Sequence, residues 1–346
     1  MFHRAKENQP TKTGEVTYQF SHSEDIMRII ATLANAALFL VLSMTPSDAA
    51  DCSRKCLAEL ADTYLSALVA HNPNKVPLDA DVKIVENTRV ITPGTGLWET
   101  ATAGPTEFKI VIPDVVSQQV GGMVIMGSGD DPIQLGFRLK LAVGKIVEAE
   151  HLFVSIKGER IPESLRNVRP SIPMEIPYEY ADSRGRLIHI AKSYYDAVDL
   201  NNGSLAHFAD DCERHENGMR TAPSGGPLSG PDIPGVAKRP PGLLGMVTCK
   251  SQVDMQIFQY ITDITHRRVV IADTKTGLAI GFSDFEHAME TNRHLLLNDP
   301  EREFADRDFE PFDTVAMHIF KIWGGEIHGI EALGLRLPYK TPSGWE

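Results

Sequence analysis

The sequence predicts an α+β chain of two tandem modules, each an amphipathic helix followed by a curved, mostly antiparallel sheet. Three observations carry that prediction. The chain has 346 residues, 42% of them hydrophobic, which is enough for two cores rather than one. The pattern Asp-x-x-x-x-Glu-Asn occurs at Asp81–Asn87 and again at Asp211–Asn217, 130 residues on, and apolar segments centred on Tyr64 and Tyr194 keep that spacing. Near the end, Lys321-x-x-x-Gly325-Glu-Ile-x-x-x-Glu331 echoes Lys140-x-x-x-Gly144-Lys-Ile-x-x-x-Glu150 at a spacing of 181, so about 51 residues are inserted in the second half.

Residues 1–50 read as an N-terminal extension and secretory signal. Met27-Arg28 precedes an apolar run from Ile29 to Leu42, and the small residues Ala49 and Ala50 offer a cleavage site, with Met27 an alternative start. The run is short for a bilayer span, so an uncleaved anchor is the lesser reading and no stable membrane insertion is expected after cleavage. The implied compartment is secreted or periplasmic, where Cys52, Cys56, Cys212 and Cys249 pair. Of three connectivities the favoured one is Cys212 with Cys249, closing the Gly/Pro-rich stretch between them, and Cys52 with Cys56. A zinc site is the weaker alternative, because the spacing lacks a second close Cys pair.

The first module is placed at 51–154. Leu57, Leu60, Ala61, Tyr64, Leu65, Leu68 and Val69 line one helix face, which His71-Asn72-Pro73 ends. The segments 82–87, 107–113, 121–126, 133–141 and 146–154 read as strands, with Gly144-Lys145 as a hairpin turn. Residues 155–186, broken by Pro162, Pro170, Pro173 and Pro177, are expected as a connector on the surface of the first module. The second module spans 187–346. Ile190, Ala191, Tyr194, Tyr195 and Val198 repeat the helical face, and 221–247 forms a Gly/Pro-rich insertion of the length typical of lids and binding loops. Residues 251–264 fit helix or strand; 268–272 and 277–282 read as strands, and 315–323 pairs across Gly324-Gly325 with 326–333.

A formal net charge of -12, with no Lys/Arg run longer than a pair, argues against a nucleic-acid or anionic-membrane partner. Dinucleotide, P-loop, zinc-protease and nucleophile-elbow motifs are absent, and no metal or cofactor is expected. Alternation along 211–217 puts Arg214 and Glu216 on the face that the first copy gives to Ile84 and Glu86, with His215 turned away. An inward Arg–Glu pair supplies a carboxylate base with its partner cation. His287 and His318 are the proton-relay candidates, and Asn217, Asp284 and Tyr195 the candidate substrate contacts. Against this stands turn chemistry: Glu-Asn in both halves suits a strand end, with the side chains satisfying backbone groups.

The leading helix, the stretch FADDCERHENG and the closing FKIWGGEIHGIEAL resemble the nuclear-transport-factor-2-like superfamily, with its SnoaL-like cyclases and ketosteroid-isomerase type. The whole chain through Pro338-Tyr339-Lys340-Thr341-Pro342-Ser343-Gly344-Trp345 is similar to a group of secreted fungal and bacterial proteins. The resemblance implies two cone-shaped modules, each with an apolar pocket, and pairing of modules through the open sheet face, hence a homodimer. It also implies a cofactor-independent lyase or isomerase acting on a small, partly apolar, aromatic or polyketide-like molecule. Strand alternation and side-chain chemistry, not the resemblance, nominate Glu216 as base, Arg214 as anion stabiliser and His287 or His318 as relay; the family's usual catalytic Tyr, Asp or His positions have no match by spacing. A non-catalytic small-molecule-binding or scaffold protein is the alternative, since fold does not choose between them.

Overall fold

Two large sheets, each with a helix on one face, and a third of two short strands lie in the segment from Ala50 to Glu346, which is one compact unit. The computed structural model describes residues 51–156, 161–223, 247–297, 303–306 and 309–346. The expected signal and most of the 221–247 insertion lie outside the described residues.

In the first half, helix α1 (Arg54–Val69) precedes β1 (Leu78–Glu86), β2 (Arg89–Ile91), the short helix α2 (Leu97–Thr100), β3 (Ala101–Ala103), β4 (Lys109–Asp114), β5 (Gln119–Ser128), β6 (Asp131–Ala142) and β7 (Lys145–Ser155). In the second half, α3 (Arg184–Asp199) precedes β8 (Phe208–Glu216), β9 (Met219–Ala222), helix α4 (Cys249–Asp254), β10 (Asp263–Asp273), β11 (Leu278–His287), β12 (Arg293–Leu295), β13 (Phe304–Asp306), β14 (Phe312–Trp323) and β15 (Glu326–Pro338). The sheet orders are β2-β1-β7-β6-β5-β3, with β4 also on β5, and β9-β8-β15-β14-β11-β10. In each large sheet the strand after the helix lies parallel to the last strand; every other pairing is antiparallel, including that of β12 with β13, which form a small sheet of their own.

The helices form for the same local reasons. Ser53 and Ser183 cap them, accepting from the backbone N–H of Cys56 and Arg186, and His71 and Asn201, at φ 51° and 47°, stand in the left-handed region just past their ends. Leu57, Ala61, Tyr64, Leu65 and Leu68 are buried on the first sheet; Leu187, Ile190, Ala191, Tyr194, Tyr195 and Val198 are buried on the second. The Glu-Asn repeat closes tight turns after β1 and β8. Asn87 and Asn217, at φ 45° and 47°, each donate from Nδ2 and accept at Oδ1 from one residue of the last strand, Phe153 and Gly334 respectively. For the asparagines the turn reading is therefore what the geometry shows.

The sheet faces turned away from the helices pack on each other. Ile112, Met123, Ile125 and Leu152 meet Ile271, Ile280, Phe282, Met317 and Leu333 in one buried seam. Approach is close: a Cβ on Gly121 would sit 2.9 Å from both Ile271 and Ile280, and one on Gly136 would collide with Met317. The face through which a homodimer was expected to pair is thus covered inside the chain. Reciprocal ion pairs fix the docking, since Arg54 at the start of α1 binds Asp273 at the end of β10, with Nη2 to Oδ2 at 2.7 Å, and Arg184 at the start of α3 binds Asp114 at the end of β4 at 2.7 Å.

Three local expectations need correction. The first hairpin turns on Val143-Gly144, both at positive φ, and Lys145 already pairs with Ala142. Residues 251–264 hold the end of α4, a run of turns over 255–260 and the start of β10. The Pro-rich connector runs along the second half: Arg169 binds Glu331 at 2.7 Å, Lys321 donates to the Ile172 carbonyl at 3.2 Å, and Ser164 donates to the Gly218 carbonyl. Its Leu165 and Ile172 are buried in the seam, which draws it away from the first module's surface.

Because both halves share one apolar seam, Ile280→Ala is expected to cost about 2–5 kcal/mol and to weaken the whole unit. Denaturant unfolding followed at Trp98 fluorescence and by far-ultraviolet circular dichroism should show one coincident transition at lower midpoint; separate transitions for the two halves would contradict a shared core.

Candidate functional site

Equivalent places in the two halves differ in what fills them. In the first half, β1 pairs with β7 and β7 with β6, so that Glu86, His151 and Phe137 stand in one row across three strands. The His151 ring bridges Glu86 and Tyr64, with Nδ1 3.0 Å from Glu86 Oε2 and Nε2 2.9 Å from the Tyr64 hydroxyl. Glu86 also accepts from the Leu97 backbone N–H at 3.1 Å, which seats Trp98 edge-on against Tyr64 with ring centroids 5.3 Å apart. Trp98 and His151 are buried, so at this row the space is filled by side chains of the half itself.

The same row in the second half reads Glu216, Ala332 and His318. Adjacent positions follow suit. Where the first hairpin pairs Leu135 with Phe153 and Ile133 with Ser155, the second pairs Ala316 with Gly334 and Thr314 with Arg336. The smaller Ala316, Ala332 and Gly334 leave a cavity of about 290 Å³, lined by Tyr194, Phe258, Tyr260, Phe285, His287 and His318 as well as by Glu216 and Arg336. Strand spacing puts Glu216 and His318 about 10 Å apart across Ala332.

Charge inside the site is distributed unevenly. The Arg214 side chain is 1% exposed and its Nε lies 2.9 Å from Glu216, whose own side chain is 44% exposed. Glu216 is therefore a rim residue, where a dry inward position was expected. Arg214 also donates to Thr221 at 3.0 Å and to Gln252 at 2.6 Å, and it stands behind the aromatic wall, 5.0 Å from the Phe258 ring. Burial, helped by the charge on Arg214, pushes His318 down to about 3. Burial pushes His287 down to about 4, with Arg336 adding to the effect. Both imidazoles are neutral near pH 7. The His318 Nδ1 lies 3.3 Å from the Tyr195 hydroxyl, an approach that requires Gly281, where any Cβ would collide with that oxygen. Any proton exchange with a ligand then runs through Nε2. The His287 ring lies between Tyr260 and Phe312, and its buried Nδ1 has no hydrogen-bond partner among the described residues.

The structure thus brings Glu216, Asn217, His287 and His318 to one cavity, with Arg214 directly behind it. Two named contacts lie elsewhere. Tyr195 is fully buried behind His318 and does not line the cavity. Asp284, on the opposite face of β11 from Phe285, opens on a separate hollow with His266, Asp313, Lys340 and Glu346; burial lifts it to about 6 against the pull of His266, 3.0 Å away. Asn217 lines the cavity with both polar atoms of its amide already bonded to Gly334. His215 faces away, as expected, but is buried under the connector, with Nε2 2.6 Å from Glu213. Sequence reasoning missed Arg336 and the small residues Ala316, Ala332 and Gly334, although reading the hairpins at their spacing of 181 shows bulk replaced by space at the last three and a cation in place of Ser155 at the first.

Disulfides join Cys52 to Cys56 and Cys212 to Cys249, so β8 is tied to α4 and no cysteine is left as a metal ligand. Among the described residues no group of three or more His, Cys, Asp or Glu could hold a metal ion, and no helix is long and apolar enough to cross a membrane.

Among known families, the one described as a domain of unknown function, DUF8021, matches residues 180–334, the segment that holds the cavity lining apart from Arg336. No curated protein matches. Among solved structures the chain is similar to one described as "putative ketosteroid isomerase from Kribbella flavida DSM 17836", at 15% identity and a TM-score of 0.24, over 35% of this chain and 90% of that one. That degree of likeness argues neither fold nor activity by itself.

Proposed function

We propose that the chain is a duplicated pair of cone-shaped modules, exported from the cell, whose second module is a cofactor-independent lyase or isomerase for a small, partly apolar, aromatic or polyketide-like molecule. The observation that carries this reading is the row Glu216–Ala332–His318 beside its counterpart Glu86–His151–Phe137. In the first module an imidazole fills the space against the glutamate. In the second that space is open, flanked by a carboxylate on one side and an imidazole on the other, and a substrate takes the place of the missing ring.

The chemistry follows from the groups at hand. Glu216 takes a proton from a carbon beside a carbonyl, and the electron pair passes to the carbonyl oxygen. A neutral histidine with a depressed pKa is a suitable donor to that developing enolate oxygen, because it holds its proton without competing for a full charge. His318 fills the role, with Nδ1 engaged by Tyr195. His287, on the far wall, is the second candidate for the relay. Arg214, 2.9 Å away, orients Glu216. Return of the proton to another carbon completes an isomerisation; loss of a leaving group from the enolate completes an elimination.

The 44% exposure of Glu216 and its pairing with Arg214 favour a second reading, a binding module without turnover. Deuterium exchange separates the two. With an enolisable aromatic ketone as probe, the chain should catalyse uptake of solvent deuterium beside the carbonyl, and Glu216→Gln should lower the rate about 10²–10⁴-fold with an unchanged melting temperature. Full exchange in that variant removes Glu216 from the base role.

The histidines also set an acid limit. Each binds protons more readily in the unfolded chain, near the ordinary value of 6.5, than in the folded one, so the stability they permit is complete above that pH and is lost as pH falls toward about 4 for His287 and about 3 for His318. Thermal melts of His287→Phe should fall less steeply than wild type between pH 6.5 and 4, by up to about 3 kcal/mol. Parallel curves would contradict a buried neutral imidazole.

A further inference from the structure

We propose that the cavity of the second half takes a planar aromatic molecule of one or two rings bearing a single carboxylate, with the rings against the aromatic walls and the carboxylate on Arg336. This rests on reading the cavity as a ligand site, and it is independent of whether Glu216 moves a proton.

Size is the first argument. A hollow of about 290 Å³ is roughly twice the ~150 Å³ of an apolar cavity known to hold benzene. The walls are the second: Tyr194, Phe258, Tyr260 and Phe285 give flat apolar surface, and His287 stacks at 4.1 Å on Phe312.

Charge is the third argument and decides the class. The second hairpin carries Arg336 where the first has Ser155, so a cation has been added at the mouth. Arg214 has Glu216 as its counter-charge, the counterpart of Glu86. Arg336 has no carboxylate partner among the described residues, and its guanidinium lies over the Phe312 and Phe309 rings at 3.8 Å and 5.1 Å. That stacking holds the fork at the cavity rim while leaving its in-plane N–H donors for an acceptor. Both histidines of the lining are neutral, so they neither compete for an anion nor supply a second charge. An amine would meet Arg336 with like charge, and an uncharged ring would leave the guanidinium uncompensated. A carboxylate matches the fork in geometry and sign.

Isothermal titration of the whole chain with 2-naphthoate, 2-naphthamide and 2-naphthylmethylamine tests this. Naphthoate should bind at least tenfold more tightly than the amide, with the amine weakest, and the preference should shrink as salt is raised. Arg336→Gln, an exposed position, should erase the preference while leaving amide affinity within about twofold, and Arg336→Lys should keep part of it. Ala332→Phe, which restores bulk where the first half has His151, should abolish naphthoate binding. Equal or tighter binding of the amide or amine, an unchanged preference in Arg336→Gln, undiminished binding in Ala332→Phe, or no naphthoate binding at millimolar concentration would each overturn the proposal. Naphthoate bound with no deuterium exchange in the wild type would sink the catalytic reading alone.

Discussion

The seam between the two sheets is the constraint on which the rest of the structure depends. Each sheet spends one face on its helix, and the other, rich in Ile, Met and Leu, has to be taken out of water. The halves meet this need for each other. Their docking is reciprocal in the manner of a twofold contact, with an arginine at each helix start reaching an aspartate at the end of the other half's edge strand. Glycine at positions 121 and 136 lets the tips of Ile271, Ile280 and Met317 come close to the first sheet's backbone.

One polar knot is admitted into this apolar contact. Glu150 on β7 accepts from Arg138 of its own sheet at 3.0 Å, from Arg268 of the other sheet at 2.6 Å, and from the Trp345 indole at 2.9 Å. The Trp345 ring lies among three cations, Lys83, Arg138 and Arg268, at 4.9 to 5.3 Å. A buried carboxylate with this many donors is tolerated because each lone pair is used, and the knot ties the C-terminal tail to both sheets at once.

Much of the fold was legible because its signals are periodic. Helix faces, strand alternation and the Gly-rich hairpins are short-range features, and Cys212 with Cys249 followed from the stretch they close. The two-sheet seam was not legible, since strands covered on both faces by apolar neighbours give no sign of which face meets what. The connector was misplaced for a related reason: Pro spacing shows that it is extended but not which surface satisfies its carbonyls, and the choice falls to Arg169 and Lys321 on partners more than 140 residues away. At the candidate site, Glu216, His287 and His318 could be named as reactive types. Arg336 and the three small residues could not, because a cavity is defined by what is missing, and absence becomes visible only against a filled counterpart.

His151 against Glu86 and Ala332 against Glu216 have a consequence for how such a protein can change. In an assembly of identical subunits every substitution is written into all copies, so plugging one pocket plugs its twin. Here the filled place at Glu86 and the open one at Glu216 are encoded separately within a single polypeptide. One can be given over to rigidity while its neighbour is hollowed out, and the rigid member then shoulders the thermodynamic burden that the hollow one sheds.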